Sequence, residues 1–194
     1  MAVLASWPSW APRAEYLCID QISYLGPLFH LAIKPIWKML NGAVHCPILK
    51  NAPISKNKKW PVIVFSHGLG CSRFAYSRIC SDLASHGFFV AATEHREGSA
   101  CASFTMEDGQ KNWIPHRRIP VSENEYSDRN QQLHFRVDEM KRTMNLMEKL
   151  NEGDGVVNVL EDACDLTMFK NCLDLSSPVL AGQSFGGEYN IIIQ

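Results

Sequence analysis

The chain lacks the sequence features of secreted and membrane-spanning proteins. It contains no Cys-x-x-Cys motif, no Asn-x-Ser/Thr glycosylation site and an odd number of cysteines, seven, which favours a reducing compartment over a disulfide framework. Its first residues show no basic stretch followed by an apolar core, so we predict no signal peptide. No apolar run reaches the roughly 18 residues of a membrane span. These absences predict a cytoplasmic protein without a transmembrane segment.

An excess of charge of either sign is also lacking. The 19 lysines and arginines balance the 20 aspartates and glutamates to a formal net charge of -1, so electrostatics predicts no nucleic-acid partner. His45, His116 and His134 have no spacing typical of metal ligands, and we predict neither a metal nor a cofactor. With 194 residues, 46% of them hydrophobic, the chain predicts a single globular domain.

The sequence does contain three short apolar runs with helical patterns between them. The runs are 61–66 (PVIVFS), 88–93 (FFVAAT) and 178–181 (PVLA). Continuous apolar runs are typical of strands that are buried on both faces of a parallel sheet. Strands that alternate with helices predict an α/β fold, in which a parallel sheet is covered by helices.

Two helices are predicted between these strands. The first is capped by Ser72, stopped by Gly87, and carries three apolar residues on one face: Ala75, Ile79 and Leu83. The second begins at Leu133 and ends near Asn151, with apolar residues recurring at steps of three and four: Val137, Met140, Met144 and Met147. The polar stretch between them, about 100–130, is predicted to be a loop or excursion.

A further apolar segment, 25–44, precedes the first predicted strand. It contains two prolines and two lysines and predicts one or two short helices. Two roles are open: a helix packed in the core, or a surface that rests on lipid.

The segment 182–187, GQSFGG, has the pattern of a nucleophile elbow. A serine hydroxyl attacks only when the fold exposes it and a base accepts its proton. In the G-x-S-x-G pattern the chain turns so sharply from strand to helix that glycines must flank the serine, and Gly182, Ser184 and Gly186 fit it after the third strand. Ser184 is therefore the predicted nucleophile.

A second glycine-rich turn, HGLG at 67–70, directly follows the first strand. Carboxyl ends of parallel strands meet at one edge of a sheet, so the backbone N–H groups of Leu69 and Phe185 can bind one oxyanion. The alternative is two tight turns without chemistry. We predict that His67 orders its turn by hydrogen bonding, with a role as catalytic base as the alternative, and that His95 is structural, paired through Arg96 and Glu94 to neighbouring loops.

These stretches resemble the platelet-activating factor acetylhydrolase family, the group-VII phospholipases A2. The resemblance is carried by 10–16 (WAPRAEY), 60–100, 113–118 (WIPHRR), 129–139 (RNQQLHFRVDE) and 182–187. It implies an α/β-hydrolase fold and calcium-independent hydrolysis of the short or oxidised sn-2 acyl group of a phospholipid. It also implies Ser184 as nucleophile, the N–H groups of Leu69 and Phe185 as oxyanion hole, and lipid contact near residues 30–33 on a membrane or lipoprotein surface.

The sequence departs from the family pattern in three places. Gln183 stands where the family has histidine, EYNIIIQ follows the elbow, and only ten residues follow Ser184, whereas the family's triad aspartate and histidine lie downstream. We therefore expect the C-terminal part of the fold to be missing and turnover to be low. The expected organisation of residues 1–194 is one partial domain: an N-terminal extension (1–24), lipid-contacting helices (25–44) and the sheet core up to the elbow (60–194). A lipid-binding module and an inactive truncated isoform are the alternatives to the esterase.

Overall fold

The computed structural model describes residues 48–49, 51–158 and 165–188. The predicted extension at 1–24, the helices at 25–44 and the lipid contact at 30–33 lie outside the described residues. In chain order the described elements are β1 (Trp60–Ser66), α1 (Ser77–Ser85), β2 (Phe89–Thr93), β3 (Ala102–Glu107), β4 (Gln110–Pro115), α2 (Glu125–Glu152) and β5 (Leu173–Gly182).

The three predicted strands form one parallel sheet, which confirms the predicted α/β class. The strand order is β2-β1-β5, so β1 is the central strand. Its four residues 62–65 are at most 6% exposed, whereas β2 is mostly half-buried because it pairs on one side only among the described strands. Ser66 at the end of β1 pairs with Thr93 of β2 and with Gly182 of β5. All three strands therefore end at one edge, where the two glycine-rich turns meet.

The hydrophobic core lies between β1 and α2. Side chains alternate across a strand, so Val62 and Val64 point to one face, where they pack against the apolar side of α2: Val137, Met140, Met147 and Leu150. The predicted apolar pattern of this helix is confirmed. On the opposite face, the ring of Phe65 contacts Tyr76, with 5.2 Å between ring centroids. The sheet is thus covered on both sides at the level of β1.

Replacing Val64 with alanine tests this core. Val64 is fully buried, so the substitution removes apolar contacts and leaves a cavity, and we expect the free energy of unfolding to fall by about 2 kcal/mol. Urea unfolding measures it. Val121→Ala is the control, because Val121 is 92% exposed and its loss should change stability by less than about 0.5 kcal/mol. Equal effects of the two substitutions would contradict this position for β1.

The helix after the first glycine-rich turn differs from its prediction. Residues Arg73–Tyr76 form a 3-10 turn, and α1 begins only at Ser77. The side chain of Ser72 makes no capping hydrogen bond, so that prediction is wrong. Because a 3-10 turn has three residues per turn, Ala75 does not continue the face of the α-helix. Ile79 is 47% exposed, and α1 ends next to Gly87 (φ 94°) as predicted.

The stretch predicted as a loop at 100–130 contains a β-hairpin. Strands β3 and β4 are antiparallel and in register from Ala102 and Pro115 to the turn. Asp108 and Gly109 both have positive φ, 50° and 77°, which is the backbone of a type I′ turn. The loop prediction is wrong here because it did not weigh the Asp-Gly pair, a strong hairpin signal.

The first end of the hairpin is tied to the first glycine-rich turn and to Cys71 after it, and the two ends of the hairpin are tied to each other. The N–H of Gly70 donates to Ser99 O and the N–H of Cys101 donates to Cys71 O, each at 2.8 Å. The N–H of Arg117 donates to Gly98 O at 2.7 Å. The hairpin is therefore attached to the loop that carries Leu69.

Two further elements begin earlier in the chain than predicted. Helix α2 begins at Glu125 rather than Leu133, and its first turns carry polar residues apart from Tyr126, with only Gln132 buried among them, so apolar periodicity gave no signal there. Its end at Glu152 agrees with the prediction. Strand β5 extends back to Leu173 through an irregular stretch next to Pro61 and Ile63 of β1, and the Ser-Ser-Pro sequence within it is typical of a turn.

Candidate active site

Ser184 lies on a sharp turn at the end of β5. Its φ is +52°, in the left-handed region that non-glycine residues rarely adopt, and Ser184–Gly186 form a 3-10 turn directly after the strand. Ser184 is exposed to solvent. Backbone strain of this kind at a strand-to-helix turn is typical of a nucleophile elbow, because it directs the hydroxyl away from the sheet.

The glycines on either side of Ser184 are required by close backbone contacts. A Cβ on Gly182 would fall on the carbonyl oxygen of Gly186, and a Cβ on Gly186 would fall on the carbonyl oxygens of Ser66 and His67. Neither obstacle is a flexible side chain. No other residue type fits these two positions without moving the main chain.

The elbow and the HGLG turn are neighbours. The N–H of Gln183 donates to Ser66 O at 3.3 Å, and Gly186 packs on the carbonyls of residues 66 and 67. Leu69, three residues after the end of β1, is 38% exposed. The structure thus brings the loops of all three predicted site residues to the same edge of the sheet.

The donors at Leu69 and Phe185 are available to a ligand. Within the described part of the chain, no hydrogen bond uses the backbone N–H of either residue. The ring of His67 orients the first of them: its Nδ1 donates to Gly68 O at 2.9 Å, and this carbonyl belongs to the same planar peptide unit as the N–H of Leu69. The structure confirms that His67 orders its turn by hydrogen bonding.

Tyr76 joins the two turns, a contact that sequence reasoning missed. Its hydroxyl donates to Gln183 Oε1 at 2.6 Å and accepts from the N–H of Gly68 at 3.3 Å. Burial is the main cause of a raised pKa for Tyr76, and a hydrogen bond to Cys71 raises it further, so the hydroxyl stays protonated and can donate. Gln183, which departs from the family pattern, therefore has a defined partner.

His95 is structural, as predicted, but its partners differ from the prediction. It is fully buried, its Nδ1 donates to Glu139 at 2.7 Å, and its Nε2 accepts from the hydroxyl of Ser66 at 2.8 Å. The prediction of Arg96 and Glu94 is wrong in part: Glu94 lies beside His67, and Arg96 contacts Glu139, the partner of His95, through its backbone N–H at 3.0 Å and its Nε at 3.9 Å. The cause is a long-range contact with α2, which local sequence cannot show.

Burial, together with the nearby positive charge of Arg136, lowers the pKa of His95 to about 2. Burial likewise raises the pKa of Glu139. The imidazole rings of His67 and His95 both hydrogen-bond to partners other than Ser184. Among the described residues, no side chain hydrogen-bonds to the Ser184 hydroxyl.

Arg136 forms the centre of a buried polar cluster under the elbow. The residue is 0% exposed, and its Nε donates to Glu97 Oε1 at 3.0 Å. The remaining N–H groups reach His67 O and Ser99 Oγ, each at 2.5 Å. A charged residue in the middle of an apolar helix pattern is unusual, and this was the one sequence signal that could have found it.

Three side chains near Arg136 can bring ligand atoms within 4.8 Å of one another: His95, Glu97 and Glu139. Most of their ligand atoms are already used, because Glu97 Oε1 pairs with Arg136 and both ring nitrogens of His95 are hydrogen-bonded, whereas Glu97 Oε2 has no hydrogen-bond partner among the described residues. The buried guanidinium also repels a cation. This cluster therefore does not fit a metal site.

A groove of about 430 Å³ along α2, lined by residues 127–138, shares no residue with the elbow.

The comparisons with known proteins agree with this geometry. The family model described as platelet-activating factor acetylhydrolase, isoform II, matches residues 4–192. The chain belongs to the platelet-activating factor acetylhydrolase family. It is 37% identical over 184 residues to the platelet-activating factor acetylhydrolase of Bos taurus, covering 92% of this chain and 41% of that protein. The same enzyme of Gallus gallus is 35% identical over 191 residues, with 92% and 45% covered. The chain thus spans about two fifths of the length of these family members.

A solved structure shows the same fold. The ferulic acid esterase of Streptomyces cinnamoneus aligns with a TM-score of 0.53 and 19% sequence identity, over 97% of this chain and 45% of that one. The α/β-hydrolase type of sheet is therefore confirmed. As regards membranes, the helices within the described residues are all too short or too polar to span a bilayer.

Proposed function

We propose that this chain carries the nucleophile and the oxyanion hole of a serine esterase that removes the sn-2 acetyl group of platelet-activating factor, a 1-alkyl-2-acetylglycerophosphocholine. Related phospholipids with short or oxidised sn-2 chains belong to the same substrate class. The observation that carries the proposal is Ser184, strained at φ +52° and exposed at the end of β5, next to the HGLG turn. Membership of the acetylhydrolase family supports the substrate class.

The proposed chemistry uses the residues at the edge of the sheet. The Ser184 hydroxyl attacks the ester carbonyl, and the oxygen that becomes negative accepts hydrogen bonds from the N–H groups of Leu69 and Phe185. The lysophospholipid leaves, and water then releases acetate from Ser184. No metal takes part in these steps. The base that accepts the serine proton lies outside the described residues, because His67 and His95 are engaged elsewhere.

A fluorophosphonate probe tests the proposal on the 194-residue chain. Attack by Ser184 on phosphorus leaves a stable adduct that mass spectrometry locates, and the release of acetate from the 1-alkyl-2-acetyl substrate is followed in the same samples. Ser184→Ala is the control. We expect an adduct at Ser184 in a folded sample. The described residues provide Ser184 with no base, so a folded chain could also fail to form the adduct. If such a chain floats with phosphatidylcholine vesicles, the result would favour the lipid-binding module instead.

We also propose a cytoplasmic location with peripheral contact to membranes or lipoprotein surfaces. Cys71, Cys80 and Cys172 carry free thiols in the structure, which agrees with a reducing compartment. The segment 25–44 would supply the lipid contact through apolar side chains.

A further inference from the structure

We propose that Arg136 is a positioning residue that holds the two donors of the oxyanion hole in register. This inference rests on the proposed function. The guanidinium group lies between the two turns: Nη1 donates to His67 O on one side, and the ring of Phe185 lies on the other, with its centroid 4.7 Å from Cζ. One rigid planar group of α2 thus contacts both segments that contribute an N–H.

On the first side, Arg136 helps to fix the peptide units that lead to Leu69. The carbonyl of His67 is held by Arg136 at 2.5 Å, and the N–H of the same peptide unit, on Gly68, is held by Tyr76. The next unit is held through Gly68 O by the ring of His67. Since each peptide unit is planar, these bonds determine where the N–H of Leu69 points.

On the second side, Arg136 restrains the residue after Ser184. The aromatic ring of Phe185 faces the guanidinium cation, which is attracted to the ring electrons, most strongly where water is excluded. Gly186, the next residue, packs against the carbonyls of Ser66 and His67. Ring and main chain are thus both held, and the N–H of Phe185 keeps its direction.

The guanidinium itself has little freedom to rotate. Glu97 accepts from Nε at 3.0 Å, and the hydroxyl of Ser99 lies 3.0 Å from Nε and 2.5 Å from Nη2. Ser99 Oγ also donates to Glu97 Oε1. A lysine cannot reproduce this arrangement, because its ammonium is a compact charge without a planar fork or a face to stack.

Stability alone is a poor explanation for this arginine. Apolar residues of similar volume often replace a buried ion pair without loss of stability, and Arg136 has apolar neighbours one turn away on α2, such as Met140. What an apolar residue could not provide is a directed donor to His67 O. The geometry therefore favours a role in placing the donors over a role in filling the core.

The test compares Arg136→Lys with Arg142→Lys, a matched change at an exposed position of the same helix. The first readout is the rate at which Ser184 reacts with p-nitrophenyl acetate and with its thiono analogue, in which sulfur replaces the carbonyl oxygen. We expect Arg136→Lys to slow the oxygen ester at least about tenfold, because misplaced oxyanion donors cost rate. In the thiono ester the sulfur accepts hydrogen bonds from the oxyanion hole poorly even in the original chain, so its reaction should slow less. The ratio of the oxygen-ester rate to the thiono-ester rate should therefore fall.

The second readout does not depend on reactivity. In ¹H–¹⁵N spectra, Arg136→Lys should move the amide signals of both Leu69 and Phe185, and Arg142→Lys should move neither. Phe185→Leu keeps the N–H but removes the ring, and it should move the Leu69 signal through Arg136. This variant replaces Arg136→Lys if the latter does not fold.

The outcomes separate the two proposals. Unchanged amide signals at Leu69 and Phe185, or an unchanged rate ratio in a reactive chain, overturn the role of Arg136. Shifted signals in a chain whose Ser184 never reacts support the role of Arg136 and contradict the proposed function. A lower rate with an unchanged ratio and altered signals throughout the sheet would show a purely structural role, and would also overturn the proposal.

Discussion

Alanine at Gly182 is expected to destroy the elbow. The added Cβ would occupy the position of the Gly186 carbonyl oxygen, and main-chain atoms cannot yield as a flexible side chain can. We expect the free energy of unfolding to fall by at least about 3 kcal/mol, at the upper end of what overpacking costs. Ser184 should also lose its reactivity towards fluorophosphonates, because the turn that directs its hydroxyl no longer forms.

Urea unfolding and labelling of the same samples measure both effects. Gly155→Ala is the control, since a Cβ at Gly155 has nothing within 4 Å, and stability there should stay within about 0.5 kcal/mol of the original chain. If Gly182→Ala left both stability and labelling unchanged, the close approach of Gly182 and Gly186 would be wrong.

The second large effect concerns pH. His95 has a pKa of about 2 in the folded protein and about 6.5 when unfolded. Below about pH 6.5 the unfolded chain therefore binds a proton that the folded chain does not. The free energy of unfolding consequently falls by up to about 1.4 kcal/mol for each pH unit by which the pH is lowered. We expect about 2 kcal/mol to be lost between pH 7 and pH 5, with the loss continuing towards pH 2.

Glu139 acts in the opposite direction. Its pKa is raised by burial, so the folded state takes up a proton earlier than the unfolded chain as the pH falls, which offsets part of the loss from His95. The contribution of His95 is therefore best measured as a difference between variants that retain Glu139.

Urea unfolding at pH 7 and pH 5 provides that difference. His95→Gln keeps a neutral polar side chain but cannot titrate, so its stability should change by about 2 kcal/mol less over this interval than that of the original chain. His134→Gln, at an exposed position of α2, should keep the full dependence. Identical slopes in all three proteins would show that His95 is not buried in its neutral form.

The three strands of the parallel sheet and the glycine-rich turns that follow two of them could be predicted from the sequence because their signals are local. A continuous apolar run such as 61–66 indicates a buried parallel strand wherever it occurs, and the glycines at 182 and 186 follow from one sharp turn. The apolar side of α2 at Val137 and Met140 is equally local. These patterns were sufficient to place Ser184, Leu69 and Phe185 at one edge of the sheet.

Contacts between distant residues could not be predicted in this way. Arg136 lies 69 residues from His67 in the chain, and Tyr76 lies 107 residues from Gln183. No local pattern marks a hydroxyl that will meet a glutamine so far away. The start of α2 was missed for a different reason, since its first turns are mostly polar and carry no apolar periodicity.

The hairpin β3–β4 is attached to the edge of the sheet where the HGLG turn and the elbow meet. Each strand has six residues, so the Asp108 tip stands about 20 Å from its base. That base shares main-chain bonds with Gly70 and Cys71, directly after Leu69. A change in the position of the hairpin would therefore reach the loop that carries Leu69 through these hydrogen bonds.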